Sequence, residues 1–416
     1  IASFGGVAKS TQAATAVNIF QTQFLKHNLF RDVLSHSFVR ESYVGGRTEA
    51  LIRHGQDLAS WDINSSYPAS MMERQPVGWA DIADGLTEDQ IADRNTRMIG
   101  FVDCIVSIPK SCWLPPLPYR TDRLTFPTGT FRGKFHSEEL ALLRHPMVGG
   151  NIVQSFKSLW YQTDYIFVDY VKTLYAIKSI PKSDSRYDEG RAFLIKLLLN
   201  SLYGKFGQSP HRHKLIWVRH GDPYPLLGEP VRGSIDRSDF WEVPIYADAA
   251  YIIPQIAANV TSKSRIRLWL GCIRVLAQGL NVYYVDTDSI ACDRAAMFDN
   301  SAELGGWKLE NLISVGEYVS PKFYRMQLPD GSRIHKAKGI WGEMLKGDDG
   351  HETFEALLRG ETITRKTFTQ QKTMMRNGHP VPFEYNAKKS TTGINSKRIL
   401  TGRPNGHTRP IHIEAT

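Results

Sequence analysis

The stretch Tyr283-Tyr284-Val285-Asp286-Thr287-Asp288-Ser289 is a β-branched and aromatic run interrupted by acids. Within Asn281 to Asp293 it predicts a hairpin, and Asp286 and Asp288, two apart on a strand, share a face. Two carboxylates held together repel unless a cation or a proton joins them. Mg²⁺ is a hard ion that takes one or two carboxylates together with substrate phosphates. Two such ions ~4 Å apart stabilise both the attacking and the leaving oxygen of an in-line phosphoryl transfer. A hairpin tip whose Asp and Ser side chains merely form turns explains an isolated pair equally well.

Upstream, Trp61-Asp62-Ile63-Asn64-Ser65-Ser66-Tyr67-Pro68 places another acid where a short strand runs into a helix, within Leu58 to Met72. Between the two lies Leu194–Phe206. At about 100° per residue, Lys196, Asn200 and Tyr203 fall in one narrow stripe of a helix. Ile195, Leu198, Leu199, Leu202 and Phe206 cover the adjacent face, and Gly204 permits close approach. A cation, an amide and an aromatic ring in line suit a nucleotide. Without its neighbours the same stripe reads as an amphipathic helix with a solvated Lys.

Strand-like and helical runs mix along the chain without regular βαβ alternation, which points to an α+β protein. Residues 11–30 and 137–144 read as helical, the latter opened by Ser137, and 97–109 reads as a strand. Residues 165–207 hold two helical patterns separated by a turn at Pro181. The stretch 249–280 is helical from a start or kink at Pro254. Residues 208–248, rich in Pro, Gly, His and Arg, suggest an inserted loop or hairpin. With 51 Lys and Arg against 42 Asp and Glu, the net charge of +9 favours a polyanionic partner. No run nears the roughly 18 apolar residues needed to span a bilayer, so a soluble, intracellular protein is expected. Cys104, Cys112, Cys272 and Cys292 have no CxxC spacing, which argues for buried, reduced thiols.

The three segments, in this order, resemble motifs A, B and C of family B DNA polymerases: D-x-x-S-L-Y-P, K-x-x-x-N-S-x-Y-G and Y-x-D-T-D-S. They stand here as Asp62 to Pro68, Lys196 to Gly204 and Tyr284 to Ser289, with Ser66 where the family usually has Leu. Tyr43-Val44-Gly45-Gly46 resembles the Y-x-G-G element of the protein-primed branch, found in phages, viruses and linear organellar plasmids. Leu304-Gly305-Gly306-Trp307-Lys308 is similar to the stretch following motif C. Lys322-Phe323-Tyr324 is similar to the branch's K-x-Y element, and Lys336-Ala337-Lys338-Gly339 to the basic strand beyond it.

The resemblance implies a right-hand fold of palm, fingers and thumb. Residues 1–50 would be a linker and Y-x-G-G region, and 51–164 palm with a first insertion that binds a priming protein. Residues 165–207 would be fingers, 208–248 a second insertion acting as a processivity loop, 249–345 palm and 346–416 thumb. The family's proofreading exonuclease precedes the Y-x-G-G element, and no D-x-E motif stands ahead of Tyr43. Residue 1 is Ile rather than Met, so a truncated chain lacking that domain is expected.

Addition of deoxynucleotides to a 3′ hydroxyl is the implied reaction, on primer-template DNA with two Mg²⁺ ions, for which Mn²⁺ can substitute. Asp62 and Asp288 would hold both metals with the Ile63 carbonyl, Asp286 would be a weaker ligand reaching them through water, and Lys196 would meet the triphosphate. Tyr67, Asn200, Tyr203, Gly204 and Arg191 would line the nucleotide site, with Arg186 an alternative cation. Tyr43, Gly45, Gly46, Thr287, Lys322, Tyr324 and Lys338 would contact primer and template. The implied partners are deoxynucleoside triphosphates, DNA and a terminal priming protein. A monomer is expected, in the cytoplasm of an infected bacterium or on an organellar plasmid. A primer-independent family B enzyme shares every catalytic motif and stays open. A catalytically silent DNA-binding relative is disfavoured, because it has no need for clustered carboxylates.

Overall fold

In the computed structural model the acid-bearing hairpin is Val282–Asp286 paired with Ser289–Asp293. The structure describes residues 5–9, 11–219, 221–223, 225–227, 229–230, 238–246, 249, 251–368, 384–391 and 397–414. It divides into two units. The first comprises 1–207, 253–336 and 394–416, and the second 208–252 and 337–393.

The first unit is built on a seven-stranded sheet ordered Thr48–Ala50, Val282–Asp286, Ser289–Asp293, His54–Ile63, Trp307–Ser320, Phe323–Gln327, Arg333–Ala337. Its centre is His54–Ile63, whose residues Leu58 to Trp61 are all buried. A strand covered on both faces must be apolar without alternation, which is why Leu58-Ala59-Ser60-Trp61 carries no period-two pattern. Asp62 follows where that cover ends.

A second, five-stranded sheet runs His412–Ile413, Thr128–His136, Ile99–Ile108, Asn151–Asp164, Gln75–Asp84. Helix Pro254–Ala277 lies between the sheets. Its Leu268, Trp269 and Cys272 share one core with Val282, Val285 and Ile290 of the first sheet and Phe131, Phe135 and Trp160 of the second. Pro254 stands in the helix's first turn, where its missing N–H interrupts no helical bond. The proline is therefore a start and not a kink.

Helices Val168–Lys178 and Glu189–Phe206 flank the Pro181 turn as expected. They pack with Gln12–Ile19 through the rings of Phe20, Phe167, Tyr170 and Phe206. Residues 11–30 are less regular than expected: the helix loosens into a π turn over Phe20–Phe24 and ends at an extended Leu25. Ser137 is the first helical residue, capped by the His136 side chain, and the helix tightens to 3-10 over Ala141–Arg144.

The expected thumb, 346–416, is divided. Residues 337–393 group with 208–252, which contribute the hairpin His211–Arg219 with Ser238–Tyr246. The final residues return to the first unit instead. Thr408 N–H donates to the Leu51 carbonyl, and His412–Ile413 runs parallel to Thr128–His136. Among the described residues no helix is long and apolar enough to cross a membrane. All four cysteines are buried and free, and burial raises each thiol above its usual range.

Candidate active site

The central sheet brings the predicted carboxylates together. Asp62 lies opposite Ser289 on one neighbouring strand and Lys308 on the other, and Ile63 N–H donates to the Asp288 carbonyl at 2.7 Å. Asp62 is raised to about 7 by burial, then by Asp288 and Glu310, against Lys178 and Lys308. Asp288 is raised to about 6 by burial, then by Asp286 and Glu310, against Lys322. Two half-buried acids whose charges are this poorly compensated suit a hard divalent cation. Among the described residues no three His, Cys, Asp or Glu side chains form a ready-made metal site. The donor set fits one that substrate phosphates complete: two carboxylates beside the Ile63 backbone.

Asp286 has partners of its own. Its two oxygens take Lys322 Nζ at 2.7 and 2.8 Å, and Thr48 Oγ1 donates to it at 3.0 Å. The third acid is thus tied to the K-x-Y segment, and its charge still acts on Asp288.

Two cations act on Asp62. Lys308 comes from the adjacent strand, and Lys196 of helix Glu189–Phe206 lies close enough to the other, Lys178, to repel it. Lys178, the last residue of helix Val168–Lys178, was not anticipated. Its Nζ donates to Ser65 Oγ. Burial lowers its pKa, with repulsion from Lys196 and Lys308 adding to this and Asp62 opposing it. Nothing local marks this Lys, since a cation in a helix's last turn is ordinary. Of the cations weighed from sequence, Arg186 is tied to Asp184, and Arg191 sits exposed in the first turn of its helix. Among the described residues no contact joins either to Asp62 or Asp288.

Tyr67 lies on the short helix Ser66–Met71, entered through Ser65 at φ +55°. Its ring stacks on Tyr203 with centroids 4.5 Å apart. Lys196, Asn200 and Gly204 share the exposed side of the Tyr203 helix, while Ile195, Leu198, Leu199, Leu202 and Phe206 are buried. The Ser66 departure has a structural partner: its hydroxyl meets that of Ser264 at 2.8 Å, both buried. Arg267 holds the same helix, donating to the Ser66 carbonyl and Ser70 Oγ and pairing with Glu73 at 2.6 Å.

The Tyr43 to Gly46 turn abuts the hairpin tip. A Cβ on Gly46 would stand 2.7 Å from Thr287 Cγ2, so any side chain there would force the Thr287 side chain to shift. Thr287, at φ +63°, donates its N–H to the Arg47 carbonyl. Gly45 is exposed, and Tyr43 packs against Gly207. Arg265 underpins the turn, donating to the Val44 and Gly45 carbonyls at 2.6 and 3.0 Å while gripping both oxygens of Glu139. Lys322, at φ +60°, donates its N–H to Tyr284 Oη, and Tyr324 packs on Tyr284 and Tyr318. Lys338 lies exposed in the second unit.

Comparison with known proteins points to one family. The family described as DNA polymerase type B, organellar and viral, matches residues 2–242. A probable DNA polymerase of Neurospora intermedia is 28% identical over 360 residues, covering 81% of this chain and 35% of the relative. The DNA-directed DNA polymerase of Enterobacteria phage PRD1 is 27% identical over 352 residues, covering 82% of this chain and 58% of the relative. The chain thus spans about a third of the Neurospora relative. Phi29 DNA polymerase, solved with primer-template DNA and incoming nucleotide substrates, shares the fold. Its TM-score is 0.68 at 18% identity, over 92% of this chain and 68% of that one.

Proposed function

The chain belongs to the organellar and viral type B DNA polymerases, and on that premise we propose that it adds deoxynucleotides to a 3′ hydroxyl on a DNA template. The observation that carries this is the half-buried Asp62–Asp288 pair, with Lys178 and Lys308 acting on Asp62, Lys322 on Asp288, and Lys196 beside Lys178. The seven-stranded sheet would be the palm, and helices Val168–Lys178 and Glu189–Phe206 the fingers. Asp62, Asp288 and the Ile63 carbonyl would hold divalent cations, two Mg²⁺ ions by the chemistry of the donors. When bound, these supply charge stabilisation for the attacking and leaving oxygens.

The rest is positioning, the main protein contribution to phosphoryl transfer. Lys196 and Lys178 bind the triphosphate, and Tyr67 on its Tyr203 stack lies beneath the sugar and excludes a 2′ hydroxyl. Asn200 and Tyr203 form the floor under the new base pair. Lys322 and Tyr324 hold the primer end, and Asp286 orients Lys322. The Y-x-G-G turn guides the template.

Protein priming is the finer proposal, supported by the organellar and viral family and by the Y-x-G-G and K-x-Y segments. The test is extension of primed template with Mg²⁺ and deoxynucleotides, beside an unprimed lane and a lane with the cognate priming protein. Label transferred onto protein supports it. Product in the unprimed lane without protein overturns priming by protein, and no extension in any lane overturns the polymerase reading of the chain.

Two outcomes follow from the nucleotide side. Lys178→Met, which keeps the stem and removes the charge, is expected to raise nucleotide KM by about tenfold or more, as loss of a charge-assisted phosphate bond implies. Steady-state kinetics at fixed primer-template check it, and an unchanged KM removes Lys178 from the site. Tyr67→Val should lower discrimination against ribonucleotides by roughly tenfold or more, because the barrier is steric. Competing incorporation of the two sugars measures it.

A further inference from the structure

The returning C-terminal segment brings a cation to the corner occupied by Asp286 and Lys322. Its anchor is Arg398, 3% exposed, which donates to Thr408 Oγ1 at 2.7 Å and to the Trp113 carbonyl at 3.0 Å. Arg398 also lies 3.9 Å from Glu49, which Arg47 already pairs at 2.5 Å. Thr408 in turn donates to the Leu51 carbonyl at 2.8 Å. These bonds stitch residues 397–410 to the strand Thr48–Ala50 and fix the residue before Arg398.

That residue is Lys397. Its Nζ donates to the Thr48 carbonyl at 3.0 Å, and the Thr48 hydroxyl donates to Asp286. Among the described residues no carboxylate pairs with Lys397. Glu49 is taken by Arg47 and Arg398, and Asp286 by Lys322. Burial lowers the pKa of Lys397, with Arg47 and Lys322 adding to this and Glu49 and Asp286 opposing it. Two lysines thus flank one acid. One of them is a half-buried ammonium whose one bond among the described residues is to a neutral carbonyl, leaving two N–H donors that no described residue accepts. A phosphodiester is the anion that fits an ammonium used as a point charge.

We propose that Lys397 binds a backbone phosphate of the primer strand near its 3′ end, beside Lys322. This rests on the polymerase reading and extends it. The C-terminal segment becomes part of the primer-binding surface through Lys397 as well as a support for the sheet.

The test compares wild type, Lys397→Met and Lys397→Arg on one primer-template, measuring equilibrium affinity at several salt concentrations, nucleotide KM and thermal unfolding. Losing one phosphate contact should reduce the salt slope of binding by about one in Lys397→Met. Primer-template affinity should fall about three- to tenfold, nucleotide KM should stay within about twofold, and Lys397→Arg should restore binding. An unchanged salt slope overturns the proposal, whether or not the melting temperature falls. So does a methionine defect confined to nucleotide KM. Failure of the polymerase reading itself shows differently, as wild type that neither binds nor extends the primer-template.

Discussion

Asp288→Asn is expected to lose primer extension by at least about a thousandfold, the scale of removing a principal electrostatic group from a transition state. The same variant should unfold no earlier than wild type in metal-free buffer. Asp288 is raised to about 6 by burial and by its acidic neighbours. A carboxylate raised in the folded state costs stability progressively as the pH climbs from the ordinary Asp value of about 4 through about 6, above which the full cost is present, and amidation removes the conflict. Activity and stability should therefore separate: extension is lost, the melting temperature is unchanged or higher, and primer-template binding survives. Extension assays, thermal unfolding and a binding titration read the three. If extension falls only together with the melting temperature, Asp288 is a structural residue and the metal assignment fails.

Arg265→Met should destabilise the protein by about 3–5 kcal/mol, the cost of stranding a buried charge. Arg265 is 3% exposed and Glu139 1%, and the guanidinium meets both carboxylate oxygens at 2.7 and 2.9 Å. Removing the cation leaves Glu139 charged and unmatched between helix and sheet, and releases the Val44 and Gly45 carbonyls. The double variant Arg265→Met with Glu139→Leu should regain most of the loss, because it removes both charges. It should still bind template less tightly, since the Val44 and Gly45 carbonyls of the turn whose Gly46 meets Thr287 then lack their guanidinium donor. Denaturant unfolding of the single and double variants decides the point. A single variant within about 0.5 kcal/mol of wild type would remove the clamp from the account.

Some of the site was legible before any fold. The Asp286 and Asp288 spacing places both acids on one hairpin, and the Lys196, Asn200, Tyr203 stripe follows from helical period alone. The observed helix buries the five residues that this stripe leaves for the core. Gly46 was readable as a motif residue, but not its reason, which is the approach of Thr287 across the sheet edge. Lys178 could not be found by pattern, because its partner Ser65 and neighbour Asp62 lie more than a hundred residues away. The partners of Asp286 were hidden likewise. Spacing makes it the twin of Asp288, yet Lys322 and Thr48 claim its carboxylate.

The C-terminal residues show the same divide. Read along the chain, 346–416 is one polar, basic stretch, and charge alone gives no reason to split it. Packing splits it, because Arg398 and Thr408 find buried partners at Glu49, Trp113 and Leu51 that no local rule predicts. By itself, then, the sequence determined what short-range geometry encodes: the α+β class, the family, the acids on their hairpin and the nucleotide-facing stripe of one helix. Tertiary structure alone decided which cations answer those acids, which acid Lys322 claims, and which buried arginines hold the site's turns in place. Strand and helix periods fix a side chain's direction within a few residues, whereas charge pairing and burial depend on segments that only the folded chain brings together.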